Sequence, residues 1–315
     1  MNREEFEKNM YITYLDEVIN YEFKEVSYKS IVSITMRKLD YINILEPKWT
    51  ELRIKYGVTD GVCLHFNDIK ALLNPTYFNR KEKDRNFSIE KIFCLDNKVN
   101  YNKLICFYRD VLNILKNINF KIIITGKRFL KPRTDKKIVE KYINTDWYII
   151  FKDHLDNLAN YMYNTSYNSE SSKRKLLKTK LRYDGDFNLG NKMDIRNAFS
   201  QAIANGTSKF NDKFIKECFD NLKFVDKTEV GKCTICPKDC NIRGISHAGN
   251  EILDFIALYI SNFNCQVDML KDYVKFGNKT ENEAKDIVDK KNILHINGKL
   301  ILSKEVLKGI CIDIN

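Results

Sequence analysis

The period of the hydrophobic pattern changes along this chain, and this change constrains the fold more than any other feature. Residues 11–16 and 26–38 come first, with alternating polarity and β-branched side chains that predict two strands joined as an antiparallel hairpin. Apolar residues then recur at helical spacing, in segments separated by strand-like runs. Helices are predicted at 103–118, 145–163, 191–204 and 249–263, and strands at FKIIITGK, LLKTKLRYDGD and LKFVDK. This order predicts an α/β fold in which helices flank a mixed β-sheet.

The length and composition fit one decorated domain. A chain of 315 residues that is 43% hydrophobic can bury a sizeable core, and only 12 Gly and 4 Pro argue against long disordered linkers. We therefore expect an α/β domain over residues 1–264, with a Cys-rich insert at about 231–247. Residues 265–315 are expected to form a C-terminal extension with a helix and a hairpin around Asn297-Gly298.

No segment of the sequence has the character of a membrane span or of a signal peptide. No apolar run approaches the roughly 18 residues that a span needs. The N-terminus, MNREEFEKN, is charged and has no apolar core. We therefore expect a cytoplasmic protein without a membrane partner. In that compartment, nine cysteines indicate thiols or metal ligands rather than disulfides.

The net charge of +11 favours an anionic partner such as nucleic acid. A Lys/Asn/Ile-rich composition that reflects codon usage in the source is the alternative explanation. The densest positive runs are GKRFLKPRTDKK and SSKRKLLKTK, and the candidate nucleic-acid contacts in them are Lys127, Arg128, Lys173, Arg174 and Lys175. Solvated loops are the alternative, since neither run has the interleaved aromatic residues of a platform for single strands.

Carboxylates stand where three of the predicted elements end or pack. Asp16 and Glu17 close the first strand, and Asp184 closes a later one. Asp254 lies beside the apolar stripe of the predicted helix 249–263, where an unpaired buried carboxylate would cost several kcal/mol. Oxygen ligands of this kind hold Mg²⁺ or Mn²⁺ for phosphodiester hydrolysis. Ordinary turn chemistry at strand ends is the alternative, above all for Asp184.

These carboxylates lie in motifs that resemble the domain of unknown function 3800 family, a bacterial group. The family opens on a strand ending Asp-Glu-Ser-Gly-Asn, and this chain has Asp16-Glu17-Val18-Ile19-Asn20. A late helix of the family begins Gly-Leu-Gln-Leu-Ala-Asp, which is similar to GNEILD at 249–254. VCLHFNDIK and FYRDVLNILKNINFKIIITGK also resemble its middle, so the resemblance covers roughly residues 11–263. Val18-Ile19 replaces a Ser-Gly turn, and Glu251 replaces a Gln.

The resemblance implies an RNase H-like fold and a nuclease that acts on DNA or RNA. It makes Asp16, Glu17 and Asp254 catalytic residues and ligands of Mg²⁺ or Mn²⁺, with Asp184 as a further ligand on a looser alignment. The alternative is a catalytically inactive RNase H-like protein that binds or scaffolds, because the Ser-Gly turn is absent. Such a protein would serve a partner encoded in a defence or mobile-element operon.

His65, in the run CLHFND, is a further candidate catalytic residue. An imidazole there would act as a general acid or base, or would contact the scissile phosphate. A structural histidine is the alternative, because His65 directly follows an apolar residue. The position of His65 in the segment that resembles the family adds support to the functional interpretation, and both interpretations stay open.

The segment KCTICPKDCNIRGISHAG combines Cys233, Cys236, Cys240 and His247. A Cys-x₂-Cys pair followed by a third Cys and a His predicts a tetrahedral site for a structural Zn²⁺. The alternatives are a redox pair, four unrelated loop residues, or an iron–sulfur cluster completed by Cys265. A zinc site here would fix the start of the predicted helix that follows.

Overall fold

The structure is a computed structural model that describes residues 10–131, 145–167, 177–185, 192–226, 228–230 and 247–310. Its strands are β1 Met10–Glu22, β2 Val26–Arg37, β3 Cys94–Leu95, β4 Lys98–Val99, β5 Lys121–Leu130, β6 Lys178–Asp184, β7 Phe219–Val225, β8 Leu294–Ile296 and β9 Lys299–Leu302. Its α-helices, apart from a single turn at Lys38–Asp40, are α1 Glu46–Tyr56, α2 Phe66–Ala71, α3 Phe87–Phe93, α4 Tyr101–Lys116, α5 Asp146–Tyr167, α6 Lys192–Asn205, α7 Asp212–Cys218, α8 Ala248–Lys275, α9 Glu281–Asn292 and α10 Lys304–Lys308. A π-helical turn at Tyr41–Leu45 leads into α1. None of the helices in these described ranges is long and apolar enough to cross a membrane.

Five strands form one mixed sheet in the order β5-β2-β1-β6-β7. β1 pairs antiparallel with β2, and β2 pairs antiparallel with β5. β6 pairs parallel with both β1 and β7, since helices carry the chain back between these strands. The structure confirms the predicted α/β fold, with a mixed sheet flanked by helices. Two small hairpins, β3-β4 and β8-β9, complete the β-structure of the described residues.

The alternation of side chains along β1 divides the core into two layers. Ile12, Tyr14 and Val18 point to one face of the sheet, which α8 covers together with α1 and α4. Tyr11 and Leu15 point to the other face, which α5 and α6 cover. We call these the α8 face and the α5 face. A residue's position in the alternation therefore decides which layer it belongs to.

β1 is longer than the sequence predicted. It does not end at Asp16 but continues for six more residues, so Asp16 lies within the strand. Val18 and Tyr21 keep this extension in the core, since both are buried. Asn20 is also buried, and its Nδ2 donates to Asn262 Oδ1 in α8 at 2.9 Å. The extension pairs with β2, which pairs in turn with β5, so three strands continue beyond the end of β6.

A buried polar cluster anchors this extension on α8. Ser30 Oγ donates to Asn20 Oδ1 at 2.9 Å, and Ser261 Oγ lies 3.0 Å from the same oxygen. Asn262 Nδ2 donates to the backbone carbonyl of Lys291 at 3.0 Å. Because a buried polar group without a partner costs free energy, these contacts fix the position of α8 on the hairpin.

α8 is also longer than predicted, and it crosses the predicted domain boundary at residue 264 without a break. The predicted hairpin follows as β8-β9. Asn297 and Gly298 in its turn have positive φ angles of 48° and 73°, as a tight two-residue turn requires. Leu294 and Ile296 join the core on the α8 face, so the C-terminal elements pack on the same layer as α8.

α8 and β1 approach so closely that only glycine fits at the start of the helix. A Cβ at Gly249 would lie 2.1 Å from Cδ2 of Tyr14, whose side chain is buried. The Tyr14 ring is confined in turn by Tyr41, with the ring centroids 5.5 Å apart. Gly249 therefore sets how near the helix lies to the strand.

We expect Gly249→Ala to lower the free energy of unfolding by about 1–3 kcal/mol, the usual effect of overpacking a filled core. Urea denaturation measures this quantity. Gly309→Ala is the control, because a Cβ there meets no atom closer than 3.4 Å. Its effect should stay within about 0.5 kcal/mol. An unchanged stability of Gly249→Ala would show that Tyr14 moves aside without cost.

Candidate functional site

Asp16 and Asp184 are neighbours on the two central parallel strands. The last residue pair between β1 and β6 is Leu15 with Tyr183, and the next residue on each strand is one of these two aspartates. Paired strands lie about 4.8 Å apart. Since Leu15 and Tyr183 point to the α5 face, Asp16 and Asp184 both point to the α8 face.

α8 brings a third carboxylate to the same place. Asp254 Oδ2 accepts a hydrogen bond from the backbone N–H of Phe66 at 2.5 Å. One turn earlier on α8, Asn250 Nδ2 donates to Asp184 Oδ1 at 3.4 Å. The structure thus brings together three of the predicted site residues, Asp16, Asp184 and Asp254. We call these three the carboxylate cluster.

Asp16 lies in a negative electrostatic environment within the carboxylate cluster. Burial raises the pKa of Asp16 well above its usual value. The nearby charges of Asp184 and Asp254, and then of Glu17, raise this pKa further, while Lys192 has a smaller effect in the opposite direction. Converging like charges favour the protonated form of an acid. Because a divalent cation relieves such repulsion and prefers carboxylate oxygens, this donor set fits one.

Glu17 lies on the other side of the sheet from the carboxylate cluster. Consecutive residues of a strand point to opposite faces, so Glu17 points to the α5 face. There Lys192 Nζ contacts Glu17 Oε2 at 2.6 Å and lies 4.5 Å from the centre of the Tyr183 ring. The structure does not bring Glu17 together with the three aspartates, and its role as a catalytic residue and metal ligand stays a prediction.

His65 borders the carboxylate cluster. Its Nε2 lies 3.8 Å from Asp254 Oδ2. A cavity of about 10 Å³ lies between His65, Asp184, Asp254 and Val230. That volume is about what one water molecule needs. The structure thus places His65 beside the carboxylate cluster, and its role as a catalytic residue stays a prediction.

The carboxylate cluster does not form a closed ligand shell. Among the residues that the structure describes, no three His, Cys, Asp or Glu side chains are placed closely enough to hold an ion. The three aspartates converge and repel one another, but their oxygens are not at ligand distances around one point. Binding of Mg²⁺ or Mn²⁺ at this place stays a prediction.

Of the four predicted zinc ligands, His247 alone is among the described residues. Cys233, Cys236 and Cys240 lie outside them, as does most of the predicted Cys-rich insert. The structural Zn²⁺ therefore stays a prediction too.

His247 stands at the start of α8, with its Nε2 3.8 Å from Glu229 Oε2. Burial lowers the pKa of His247 to about 4, and the charges of Lys223 and Arg182 contribute to the same shift. The imidazole is therefore neutral at pH 7, which is the form that ligates a metal.

The predicted nucleic-acid contacts Lys127 and Arg128 are engaged within the protein. Lys127 Nζ pairs with Asp153 Oδ2 at 2.5 Å. Arg128 binds Asp272 through Nε and Nη2, at 2.6 and 2.8 Å. Lys173, Arg174 and Lys175 lie outside the described residues. Contact of these five residues with nucleic acid stays a prediction.

A row of cations leads to the carboxylate cluster, and it begins in the predicted positive run SSKRKLLKTK, which contains Lys178 and Lys180. Lys178, Lys180 and Arg182 share the α8 face of β6 with Asp184, because the residues between them are buried on the α5 face. Asp220 lies 3.4 Å from Lys178 Nζ and 3.8 Å from Lys180 Nζ. We call the three basic residues the β6 cation row. The period-two spacing of cations in KTKLRYD is the sequence signal of this row.

A second carboxylate of α8, Glu251, was missed by the sequence interpretation. It is buried and accepts hydrogen bonds from Trp49 Nε1, Arg53 Nη1 and the backbone N–H of Leu64, at 2.5, 2.6 and 2.7 Å. The signal was its position three residues before Asp254, which puts both acids on one face of the helix.

Comparisons with known proteins return no relative: no family model, no curated protein and no solved structure matches the chain. The resemblance to the domain of unknown function 3800 family therefore stays a prediction that rests on the motifs quoted above. The geometry of the carboxylate cluster carries the functional proposal.

We expect Asp16→Asn to stabilise the protein in the absence of metal. Because the pKa of Asp16 is raised in the folded state, the folded protein holds a proton that the unfolded chain releases at lower pH. The contribution of Asp16 is favourable below its unfolded pKa of about 4 and is lost as the pH rises through the folded pKa. In wild type the contribution of Asp16 should make the free energy of unfolding decline as the pH rises from 4 to 8. Asp16→Asn, measured in EDTA over the same range, should lose this decline.

Asp220→Asn is the control for this experiment, since Asp220 lies near Lys178 and Lys180 rather than near other acids. In Asp220→Asn the free energy of unfolding should still decline towards high pH, as in wild type. The same pH dependence in wild type and in Asp16→Asn would contradict a raised pKa of Asp16.

Proposed function

We propose that this chain is a divalent-metal-dependent nuclease of RNase H-like fold, which hydrolyses phosphodiester bonds of DNA or RNA. The observation that carries the proposal is the convergence of Asp16, Asp184 and Asp254 on one face of the sheet. Three acids that repel one another in a half-buried cleft weaken the fold unless a positive group binds there. Such an arrangement is typical of a functional site rather than of a structural one.

The sheet topology supports the RNase H-like fold. Three strands, β1, β2 and β5, form an antiparallel meander, and β6 and β7 run parallel to β1 on its other side. The three acids then come from the first strand, from a later strand beside it and from the helix that closes this sheet. Carboxylates placed together in this way supply the oxygen ligands that divalent-metal phosphodiester chemistry uses.

Asp16, Asp184 and Asp254 are the residues that would hold Mg²⁺ or Mn²⁺. Such an ion, when bound, neutralises charge on the scissile phosphate and activates water for attack. Asn250 orients Asp184, and the backbone N–H of Phe66 orients Asp254, so both carboxylates have fixed directions. His65 would contact the phosphate or the leaving oxygen from beside Asp254.

A catalytically inactive protein that binds nucleic acid is the second candidate. The observation that favours it is the lack, among the described side chains, of a complete ligand group for a metal ion. Tight and salt-sensitive binding without cleavage would select this candidate over the nuclease.

We expect the protein to cleave labelled DNA or RNA in the presence of Mn²⁺ or Mg²⁺ and to do so only with the metal. Asp16→Asn, Asp184→Asn and Asp254→Asn should each lower the rate at least about 100-fold, because each variant removes a charged ligand. Product formation from single- and double-stranded DNA and RNA, followed on denaturing gels, measures the rate and identifies the substrate.

Asp212→Asn is the matched control, since this exposed carboxylate pairs with Lys216 on α7, away from the α8 face. It should cleave at the wild-type rate. Cleavage that persists in all three cluster variants would belong to another site or to a contaminant, and the nuclease proposal would then be wrong.

We expect the β6 cation row to contact the phosphate backbone beside the carboxylate cluster. The double variant Lys178→Gln, Lys180→Gln should bind nucleic acid more weakly and reduce the slope of log Kd against log salt by about 0.7–0.9 for each phosphate that it no longer neutralises. Fluorescence anisotropy at several salt concentrations measures both quantities. Lys216→Gln on α7 removes one exposed cation elsewhere and is the control. Equal slopes in the double variant and in wild type would exclude the row as a binding surface.

A further inference from the structure

We infer that Glu251 is a positioning residue, which holds the segment 62–66 in place and with it His65 and Asp254 at the carboxylate cluster. The inference rests on the proposed metal site. It adds Arg53 and Trp49, two residues of α1, to the groups on which that site depends.

The carboxylate of Glu251 is almost fully enclosed. Glu251 is 2% exposed and Arg53 is 1% exposed. Arg53 Nη1 donates to Oε1 at 2.6 Å, and Trp49 Nε1 donates to Oε2 at 2.5 Å. A buried ion pair is weak evidence for stability by itself, because desolvation offsets its attraction. Its contacts with the neighbouring backbone are therefore the more informative observation.

Glu251 and Arg53 together hold the backbone of the segment 62–66. Glu251 Oε1 accepts the N–H of Leu64 at 2.7 Å. Arg53 Nη2 donates to the carbonyl of Val62 at 2.7 Å and to that of Thr59 at 3.3 Å. The ion pair thus contacts the segment through both a donor and an acceptor. These contacts fix the path of the segment 62–66 along α8.

Asp254 accepts a hydrogen bond from a second backbone amide of the same segment. It accepts the N–H of Phe66, two residues after Leu64, as Glu251 accepts that of Leu64. Because Glu251 and Asp254 are three residues apart, one face of α8 presents both acceptors to the segment. His65 lies between the two anchored amides, with Nε2 3.8 Å from Asp254 Oδ2. Removal of the first anchor would therefore release both His65 and the amide that orients Asp254.

α8 carries a comparable carboxylate at its other end. Asp272 is also buried, and it accepts hydrogen bonds from Tyr21 Oη at 2.8 Å and from Arg128 at 2.6 and 2.8 Å. It lies 18 residues beyond Asp254, which is about 27 Å along the helix. Glu251 and Asp272 both anchor α8, but Glu251 alone of the two contacts the segment that carries His65. If Glu251 only anchored α8, substitution of Glu251 and substitution of Asp272 would have the same effects on stability and on Mn²⁺ affinity.

The test compares Glu251→Gln with Asp272→Asn, two substitutions that keep the shape of the side chain. Both variants should unfold at lower urea concentration than wild type. Glu251→Gln should also weaken Mn²⁺ binding about 10–100-fold in calorimetric titration, which is the usual effect of removing a group that orients a metal ligand. It should speed hydrogen exchange of the Leu64 and Phe66 amides, while Asp272→Asn should change neither quantity. Equal Mn²⁺ affinity in Glu251→Gln and wild type, or an equal decrease in both variants, would overturn the inference.

Arg53→Lys is the second variant, and it decides the question if Glu251→Gln does not fold. It keeps a cation beside Glu251 but removes the planar fork that reaches the carbonyls of Val62 and Thr59. We expect faster exchange at Leu64 and weaker Mn²⁺ binding. If the wild type binds no Mn²⁺, the proposed metal site is wrong, and amide exchange alone then tests the positioning role. Unchanged exchange in Arg53→Lys would overturn that role.

Discussion

The close contact between α8 and the middle of β1 is the interaction on which the rest of the structure depends. With no side chain at Gly249, the helix lies directly on the Tyr14 ring. Its first turns then pass over the carboxyl end of β6, where Asn250 reaches Asp184. A wider spacing would move Asp254 away from Asp16 and Asp184. The glycine at the start of the helix thus determines how close Asp254, five residues later, lies to the other two acids.

Two acids near this contact have opposite electrostatic surroundings. Glu251 is enclosed, but a guanidinium, an indole N–H and a backbone amide satisfy it. Asp16 is half-buried among other acids, which raise its pKa. In the first arrangement the buried charge has hydrogen-bond partners, whereas in the second the neighbouring acids disfavour the ionised form of Asp16. This contrast separates the supporting residues of α8 from those proposed to bind an ion.

The sequence was sufficient for the layers of the fold and for part of the site. The change from period two to helical period predicted the mixed sheet, and the apolar stripe beside Asp254 indicated a carboxylate that needed a partner. The face of Glu17 does not follow from the predicted strand end at Asp16, because β1 continues past it through buried Val18 and Tyr21 and the alternation of faces continues with it. The Glu251–Arg53 pair could not be predicted locally, since its members are 198 residues apart in the chain and only the folded helices bring them together.

The buried polar cluster at the end of the β1–β2 hairpin has a consequence for the whole length of α8. The helix is held by Asp254 at the Phe66 amide and, seven and eight residues later, by Ser261 and Asn262 at Asn20. A slide of one residue would shift the helix by about 1.5 Å and turn every side chain by about 100°. Both sets of contacts would then break together. α8 therefore has one position along its axis that satisfies both sets of contacts. An insertion between Asp254 and Ser261 would leave the helix intact, but Asp254 and the contacts with Asn20 could no longer form together.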